Sequence, residues 1–120
     1  MTVLVGKKAP EFKANCVSNC TLGTTSLSDY EDRYTILFFY PLDFTFVCPT
    51  ELHAFQEKLE EFKKLNCELV GCSVDSHFSH LAWVNTPKAQ GGIEGVTYTL
   101  VSDLGGKIAE SYGILSPEGV

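Results

Sequence analysis

A chain of 120 residues can bury one hydrophobic core, and 44% hydrophobic and 20% charged residues are typical of a globular protein. The formal net charge of −6 argues against nucleic acid and anionic membrane surfaces as primary partners. No apolar stretch is long enough to span a membrane, and the first residues do not resemble a secretory signal. We therefore expect one cytoplasmic domain over residues 1–120.

Five cysteines are an odd number in a chain without a secretory signal, which indicates free thiols in a reducing compartment. Cys16 and Cys20 lie in an N-terminal segment that we interpret as turn-rich. A disulfide or a metal pair there is the alternative, although no second ligand pair at zinc spacing follows. Cys67 and Cys72 fall in an apolar run, where a small buried side chain fits.

Residues 34–40 form an aromatic and β-branched run that predicts a buried strand, which Pro41 ends because proline cannot donate to a ladder. A helix is predicted over residues 49–64, where apolar residues recur at helical spacing. Proline fits a helix only in its first turn, so Pro49 places Cys48 at the helix N-terminus. The apolar residues of this helix are Leu52, Phe55, Leu59 and Phe62.

The position of Cys48 predicts a reactive thiol, because the thiolate is the nucleophile and a helix N-terminus stabilises it. An unperturbed thiol is only about 3% ionised at neutral pH, since its pKa is about 8.5. The hydroxyl of Thr45 can reach the first helical turn, and Pro41 adds bulk without a competing N–H. Such a site suits a small polar oxygen compound better than a metal.

The remaining chain predicts further α/β elements, beginning with a strand over residues 68–74 that would pair in parallel with the first strand. A helix with Leu81, Trp83 and Val84 follows, then a flexible glycine loop over residues 91–95, a strand over 97–101 and a short helix over 107–112. We place His77 and His80 at a solvated helix N-terminus. A metal pair at these histidines and a general-base role for His53 are the alternatives.

The run YPLDFTFVCPTE over residues 40–51 contains the pattern Pro41-x-x-x-Thr45-x-x-Cys48, which resembles the active-site signature of the peroxiredoxins. Its surroundings are similar to the typical 2-Cys branch, which includes thiol-specific antioxidants and alkyl hydroperoxide reductases. Other matching segments occur in family order, at residues 9–12, 73–76, 80–83, 85–88, 100–103 and 112–115. The resemblance implies a thioredoxin-like α/β fold, with a central mixed sheet flanked by helices.

The resemblance also implies an activity and roles for four residues. Cys48 matches the peroxidatic cysteine, which attacks the O–O bond of a hydroperoxide and becomes a sulfenic acid. Thr45 matches the hydroxyl that bonds the peroxide or thiolate, Pro41 the residue that shields the sulfur, and Glu51 the acid that positions a catalytic arginine. The implied partners are a hydroperoxide substrate and a thioredoxin-like reductant, with homodimers and decamers in the full-length protein. No cofactor is implied.

Two features of the family pattern are absent. The catalytic arginine and the resolving cysteine belong to segments beyond the matched region, and Arg33, the only arginine in the chain, matches neither role. We therefore expect the N-terminal two-thirds of a typical 2-Cys peroxiredoxin, with its C-terminal strands missing. The alternative function is non-catalytic, as a redox-regulated chaperone or a peroxide sensor.

Overall fold

The computed structural model describes residues 4–44 and 48–120, with Cys48 described by its backbone alone, and these residues form a sheet with helices on both faces. The strands are β1 (Lys13–Ser18), β2 (Thr21–Ser26), β3 (Tyr34–Phe39), β4 (Cys67–Ser73) and β5 (Thr99–Ser102). The α-helices are α1 (Cys48–Glu57), α2 (Leu59–Lys64), α3 (His77–Val84) and α4 (Lys107–Ser111). Short 3₁₀ turns cover Leu27–Tyr30 and Lys88–Gln90.

The five described strands form a mixed sheet in the order β2-β1-β5-β4-β3. Strands β3, β4 and β5 are parallel to one another, whereas β1 is antiparallel to both of its neighbours. Cys72 lies at the centre, opposite Phe39 on one side and Val101 on the other. This topology confirms the predicted thioredoxin-like sheet and the parallel pairing of β3 with β4.

The N-terminal segment is a β-hairpin, so the interpretation of residues 16–20 as turn-rich was wrong. Strands β1 and β2 pair over six residues each, and only Asn19 and Cys20 form the connection. Both have positive φ angles, 51° and 60°, which is the geometry of a tight hairpin turn that suits the right-handed twist of the strands. The turn contains a cysteine where glycine is usual, so it could not be recognised from the sequence.

The predicted helix over residues 49–64 is two helices that meet at Lys58. The Lys58 N–H donates to the carbonyl of Phe55 at 3.2 Å, three residues back, so the chain tightens there before α2 begins. Phe55 and Phe62 still pack against the same core. The helical periodicity was therefore a correct guide to the buried face but not to the continuity of the helix.

The core lies on both faces of the sheet because successive strand residues point in opposite directions. Helices α1, α2 and α3 cover one face, where Trp83 and Leu52 pack with Leu69 and Leu100. Helix α4 covers the other face, where Ile108 packs with Val70, Val101 and the fully buried Cys72. The buried structural role predicted for Cys72 is confirmed.

The glycine loop after α3 is packed against that helix, which corrects the prediction of a flexible loop. Ile93 is fully buried, and its N–H donates to the carbonyl of Trp83 at 3.1 Å. The indole N–H of Trp83 donates in return to the carbonyl of Gly91 at 3.0 Å. Across the described part of the chain, no helix has the length and apolar character needed to cross a bilayer.

Candidate active site

Cys48 is the first residue of α1, as the sequence predicted from Pro49. The helix runs for 10 residues from this point, so its unpaired N–H groups and positive dipole end surround the backbone of Cys48. Thr45 lies outside the described residues, and so does the side chain of Cys48. The described backbone therefore supplies a position that favours a thiolate.

Pro41 and Glu51, the other two predicted site residues, lie on either side of this helix start. Pro41 directly follows the buried Tyr40 at the carboxyl end of β3 and is exposed. It borders a cavity that is also lined by Ala109, Ile114 and Val120. Glu51 is exposed in the first turn of α1, where a carboxylate interacts favourably with the positive end of the helix dipole.

A buried polar network lies beneath the loop that joins β3 to α1. The carboxylate of Asp43 accepts three hydrogen bonds: from the Tyr40 hydroxyl at 2.8 Å, from His80 Nδ1 at 2.7 Å and from the Ser79 hydroxyl at 3.0 Å. The side chains of Asp43 and His80 are fully buried. The network thus fixes Asp43, five residues before Cys48, to helix α3.

Asp75 completes the network from the end of β4. Its Oδ2 accepts the backbone N–H of Asp43 at 2.7 Å and the hydroxyl of Ser73 at 2.7 Å. The backbone carbonyl of Asp75 accepts the hydroxyl of Ser102 at the end of β5. Both the side chain and the main chain of Asp43 are therefore held, and the carboxyl ends of three parallel strands meet under the loop.

The arrangement favours the imidazolium form of His80. Its Nε2 lies 3.0 Å from the carbonyl of Val101 and its Nδ1 lies 2.7 Å from the carboxylate of Asp43, so both ring nitrogens face acceptors. Burial alone would lower the pKa of His80, but the hydrogen bond and charge of Asp43 outweigh it and raise the pKa. The prediction of a solvated position was therefore wrong for His80.

The donor atoms of Asp43, Asp75 and His80 lie within 4.8 Å of one another, a spacing that could hold a metal ion. Each of these groups is already used, however, since the carboxylates accept hydrogen bonds and His80 donates through both nitrogens. A cation would have to displace a proton from His80 and break these bonds. The chemistry of the group is that of a structural network.

The other four cysteines occupy positions unlike that of Cys48. Burial raises the pKa of the Cys72 thiol to about 12, and it also raises the pKa of Cys16 in β1. Cys20 is exposed on the hairpin turn, and Cys67 is half-buried at the start of β4. All four are free thiols, and none lies at a helix N-terminus.

Arg33 and His53, which could be mistaken for catalytic residues, form hydrogen bonds with other parts of the chain. Arg33 lies at the amino end of β3, where its guanidinium pairs with Glu68 at 2.7 Å and bonds the carbonyl of Asp29. Six strand residues, about 20 Å, separate it from the loop before Cys48. His53 Nε2 lies 3.3 Å from the carbonyl of Gly92, to which it donates.

Sequence reasoning missed the Asp43–His80 pair, although a signal was present. His80 lies three and four residues before Trp83 and Val84, so it shares their buried helix face. A polar residue on such a face needs a buried partner, and Asp43 was available in the loop. The ring of Trp83 also packs against that of Phe44, with ring centroids 6.0 Å apart and the planes tilted by 41°, a second contact between α3 and this loop.

Comparison with known proteins gives a consistent result. The model of the AhpC/TSA family matches residues 5–120. Peroxiredoxin-1 of Gekko japonicus is 56% identical over 115 residues, which are 95% of this chain and 58% of that protein. The chain thus spans little more than half the length of that relative.

Two solved structures are also similar. The reduced 2-Cys peroxiredoxin of Plasmodium vivax matches with a TM-score of 0.92 and 46% identity, over 95% of this chain and 71% of that one. Thioredoxin peroxidase I of Plasmodium yoelii matches with a TM-score of 0.89 and 53% identity, over 92% and 65%. The fold found here is therefore that of solved peroxiredoxins.

Proposed function

Because the chain belongs to the AhpC/TSA family of peroxiredoxins, we propose that it is a thiol-dependent peroxidase that reduces hydrogen peroxide and organic hydroperoxides at Cys48. The observation that carries this function is the position of Cys48, the one cysteine that begins an α-helix in the described part of the chain. That position favours the thiolate, which is the form that attacks a peroxide.

The reaction proceeds in two halves. The thiolate attacks the terminal oxygen of the hydroperoxide and breaks the O–O bond, so that Cys48 becomes a sulfenic acid; the departing alkoxide or hydroxide takes up the proton that the thiol lost on ionisation and leaves as an alcohol or water. An external thiol then condenses with the sulfenic acid, releases water and forms a mixed disulfide. A second thiol reduces this disulfide and restores the cysteine.

In this reaction Thr45 donates to the peroxide and Pro41 shields the sulfur, while Glu51 corresponds to the acid that positions a catalytic arginine, for which Arg33, the only arginine of this sequence, is no match. We assign Asp43 and His80 as positioning residues, because their hydrogen bonds hold the described part of the segment that follows β3, which contains Pro41. Donors and charges that are held in place before the reaction are a main source of transition-state stabilisation in enzymes.

We further propose a cytoplasmic location, a thioredoxin-like reductant and self-association through the loop surface. The similarity to a thioredoxin peroxidase supports the reductant. Phe44 supports the association, since it is 52% exposed in that loop. Aromatic residues are enriched at protein interfaces.

Peroxide consumption in the presence of a dithiol reductant tests the enzymatic function. Cys48→Ser should abolish turnover, whereas Cys20→Ser should leave it unchanged, because Cys20 is an exposed thiol on the β-hairpin turn and not at a helix N-terminus. Both variants must show the wild-type circular dichroism spectrum. Turnover that survives in Cys48→Ser would refute the assignment.

A further inference from the structure

The middle of α1 is hydrogen-bonded to the segment that precedes β5. The side-chain carbonyl of Gln56 accepts the N–H of Thr97 at 3.0 Å, and its Nε2 donates to the Thr97 hydroxyl at 3.2 Å. The hydroxyl of Tyr98 donates to the backbone carbonyl of Leu52 at 2.9 Å. We call these contacts of Leu52 and Gln56 with Thr97 and Tyr98 the α1 anchor.

The α1 anchor lies on one face of the helix. At 3.6 residues per turn, Leu52, His53 and Gln56 fall within an arc of about 100°. His53 adds a third contact on this face, since its Nε2 lies 3.3 Å from the carbonyl of Gly92. Helix α1 is therefore bonded along one face, beginning four residues, or about 6 Å, after Cys48.

The segment that binds α1 is itself held by the sheet. The buried ring of Tyr98 packs edge-to-face on Phe38 of β3, with ring centroids 5.9 Å apart. Burial raises the pKa of Tyr98, so its hydroxyl stays protonated and can donate. The carbonyl of Thr97 accepts the N–H of Asn19 in the first hairpin at 3.0 Å. The α1 anchor thus connects the helix to both the hairpin and β3.

The remaining contacts of α1 define its position less sharply. Leu52 and Phe55 pack in the core through apolar contacts, which are non-directional, whereas hydrogen bonds specify a distance and an angle. In the first turn, the exposed side chains of Thr50 and Glu51 form no hydrogen bond or ion pair within the described part of the chain. The hydrogen bonds of the anchor therefore determine how far α1 slides and rotates, and so where Cys48 lies.

We propose that Gln56 and Tyr98 are positioning residues for the reaction of Cys48 with a hydroperoxide. They do not touch the reacting atoms, but they fix the helix that begins at Cys48. This inference rests on the peroxidase function proposed above. A displacement of about 1 Å can slow a reaction by about 100-fold, whereas the helix N-terminus moves with Cys48 and still stabilises the thiolate.

Two rate constants of Cys48 separate alignment from ionisation. The first is for stoichiometric hydrogen peroxide, and the second is for iodoacetamide over a range of pH, since this reagent needs the thiolate but no aligned donors. We expect the peroxide rate constant to fall at least about fivefold in Gln56→Leu and at least about threefold in Tyr98→Phe. The midpoint of the alkylation profile should stay at the wild-type pH in both variants.

Matched variants control for the substitutions themselves. Gln90→Leu and Tyr34→Phe make the same changes at exposed positions, and both should keep the wild-type peroxide rate constant. Gln56→Glu retains an oxygen that accepts the N–H of Thr97, and should keep the rate constant within about twofold of the wild type. Tyr98→Phe removes a single oxygen, so it keeps the test decisive if Gln56→Leu does not fold.

Three results would overturn the inference while leaving the peroxidase function intact. These are wild-type peroxide rate constants in both Gln56→Leu and Tyr98→Phe, an equal fall in the peroxide and alkylation rate constants, and a Gln56→Glu variant as slow as Gln56→Leu. A wild-type chain in which Cys48 reacts with peroxide no faster than Cys20 would instead refute the peroxidase function, and this inference with it.

Discussion

Polar side chains at the carboxyl end of β3 are hydrogen-bonded, whereas backbone groups along one edge of the same strand face away from its neighbour. At the carboxyl end, Tyr40, Asp43 and His80 are buried, and each has a hydrogen-bond partner. Along the other edge of β3, the backbone groups of Thr35, Leu37 and Phe39 face away from β4, its neighbour in the described sheet. The buried hydroxyl of Thr35 also has no partner among the described residues.

The contrast separates side chains that are hydrogen-bonded within the fold from backbone groups that face away from the described sheet. Burying polar groups is costly unless they are hydrogen-bonded, and the side chain of Asp43 accepts three hydrogen bonds. The loop that this network holds leads to Cys48.

The largest expected effect comes from breaking the buried pair. Asp43→Ala leaves a buried imidazolium without its counter-ion and the Tyr40 hydroxyl without its acceptor. We expect the free energy of unfolding to fall by about 3–5 kcal/mol, measured by urea denaturation. Glu68→Ala, which breaks the solvent-exposed pair with Arg33, is the control and should cost no more than about 1 kcal/mol. Equal losses in the two variants would contradict the role of the network.

A smaller effect is expected when an unpartnered hydroxyl is created in the core on the other face of the sheet. Cys72 is fully buried in β4 between Phe39 and Val101, where a serine hydroxyl would meet an apolar surface. Cys72→Ser should lower the free energy of unfolding by about 1–3 kcal/mol. Cys20→Ser, on the exposed turn, should change it by less than about 0.5 kcal/mol. A stable Cys72→Ser variant would mean that the core there admits a polar partner.

The pH dependence of stability tests the pairing of His80 with Asp43. Because Asp43 raises the pKa of His80, the folded state binds a proton more tightly than the unfolded chain does. The stabilisation is complete below the unfolded pKa of about 6.5 and is lost as the pH rises through the raised folded value. Urea denaturation at successive pH values should show this decline in the wild type and not in His80→Asn. Parallel curves for the two proteins would show that His80 is not protonated in the fold.

The smallest effect should be a gain in stability at the edge. Thr35→Val removes a buried hydroxyl that has no partner and fills the same volume with a methyl group. The free energy of unfolding, measured by urea denaturation, should rise by about 1 kcal/mol. Thr24→Val, at an exposed position in β2, should change it little. A loss of stability in Thr35→Val would show that the hydroxyl has a partner after all.

The strands and helices around Cys48 were predictable because local patterns decide them. Proline at residue 49, the aromatic run before Pro41 and the helical repeat of Leu52 and Phe55 depend on neighbours in sequence, and the structure follows them. The first hairpin was missed because its turn uses Asn19 and Cys20 in left-handed conformations without glycine.

The network around His80 could not be derived from local patterns. Its bonds join Asp43 to residues 32 and 37 positions further along the chain, so they exist only once the sheet and α3 are assembled. The same holds for the packed loop after α3, where Ile93 is buried against Trp83. Long-range polar contacts of this kind carry no periodic signal.

Reactivity at the start of α1 is the central claim, and one single-turnover experiment tests it most directly. The reduced chain is mixed with stoichiometric hydrogen peroxide, quenched rapidly with an alkylating reagent and analysed by mass spectrometry at each of the five cysteines. The account predicts that Cys48 is oxidised to the sulfenic acid far faster than the exposed Cys20 and the buried Cys16 and Cys72. Oxidation of Cys48 at the same rate as Cys20 would contradict it, because the helix N-terminus would then confer no activation.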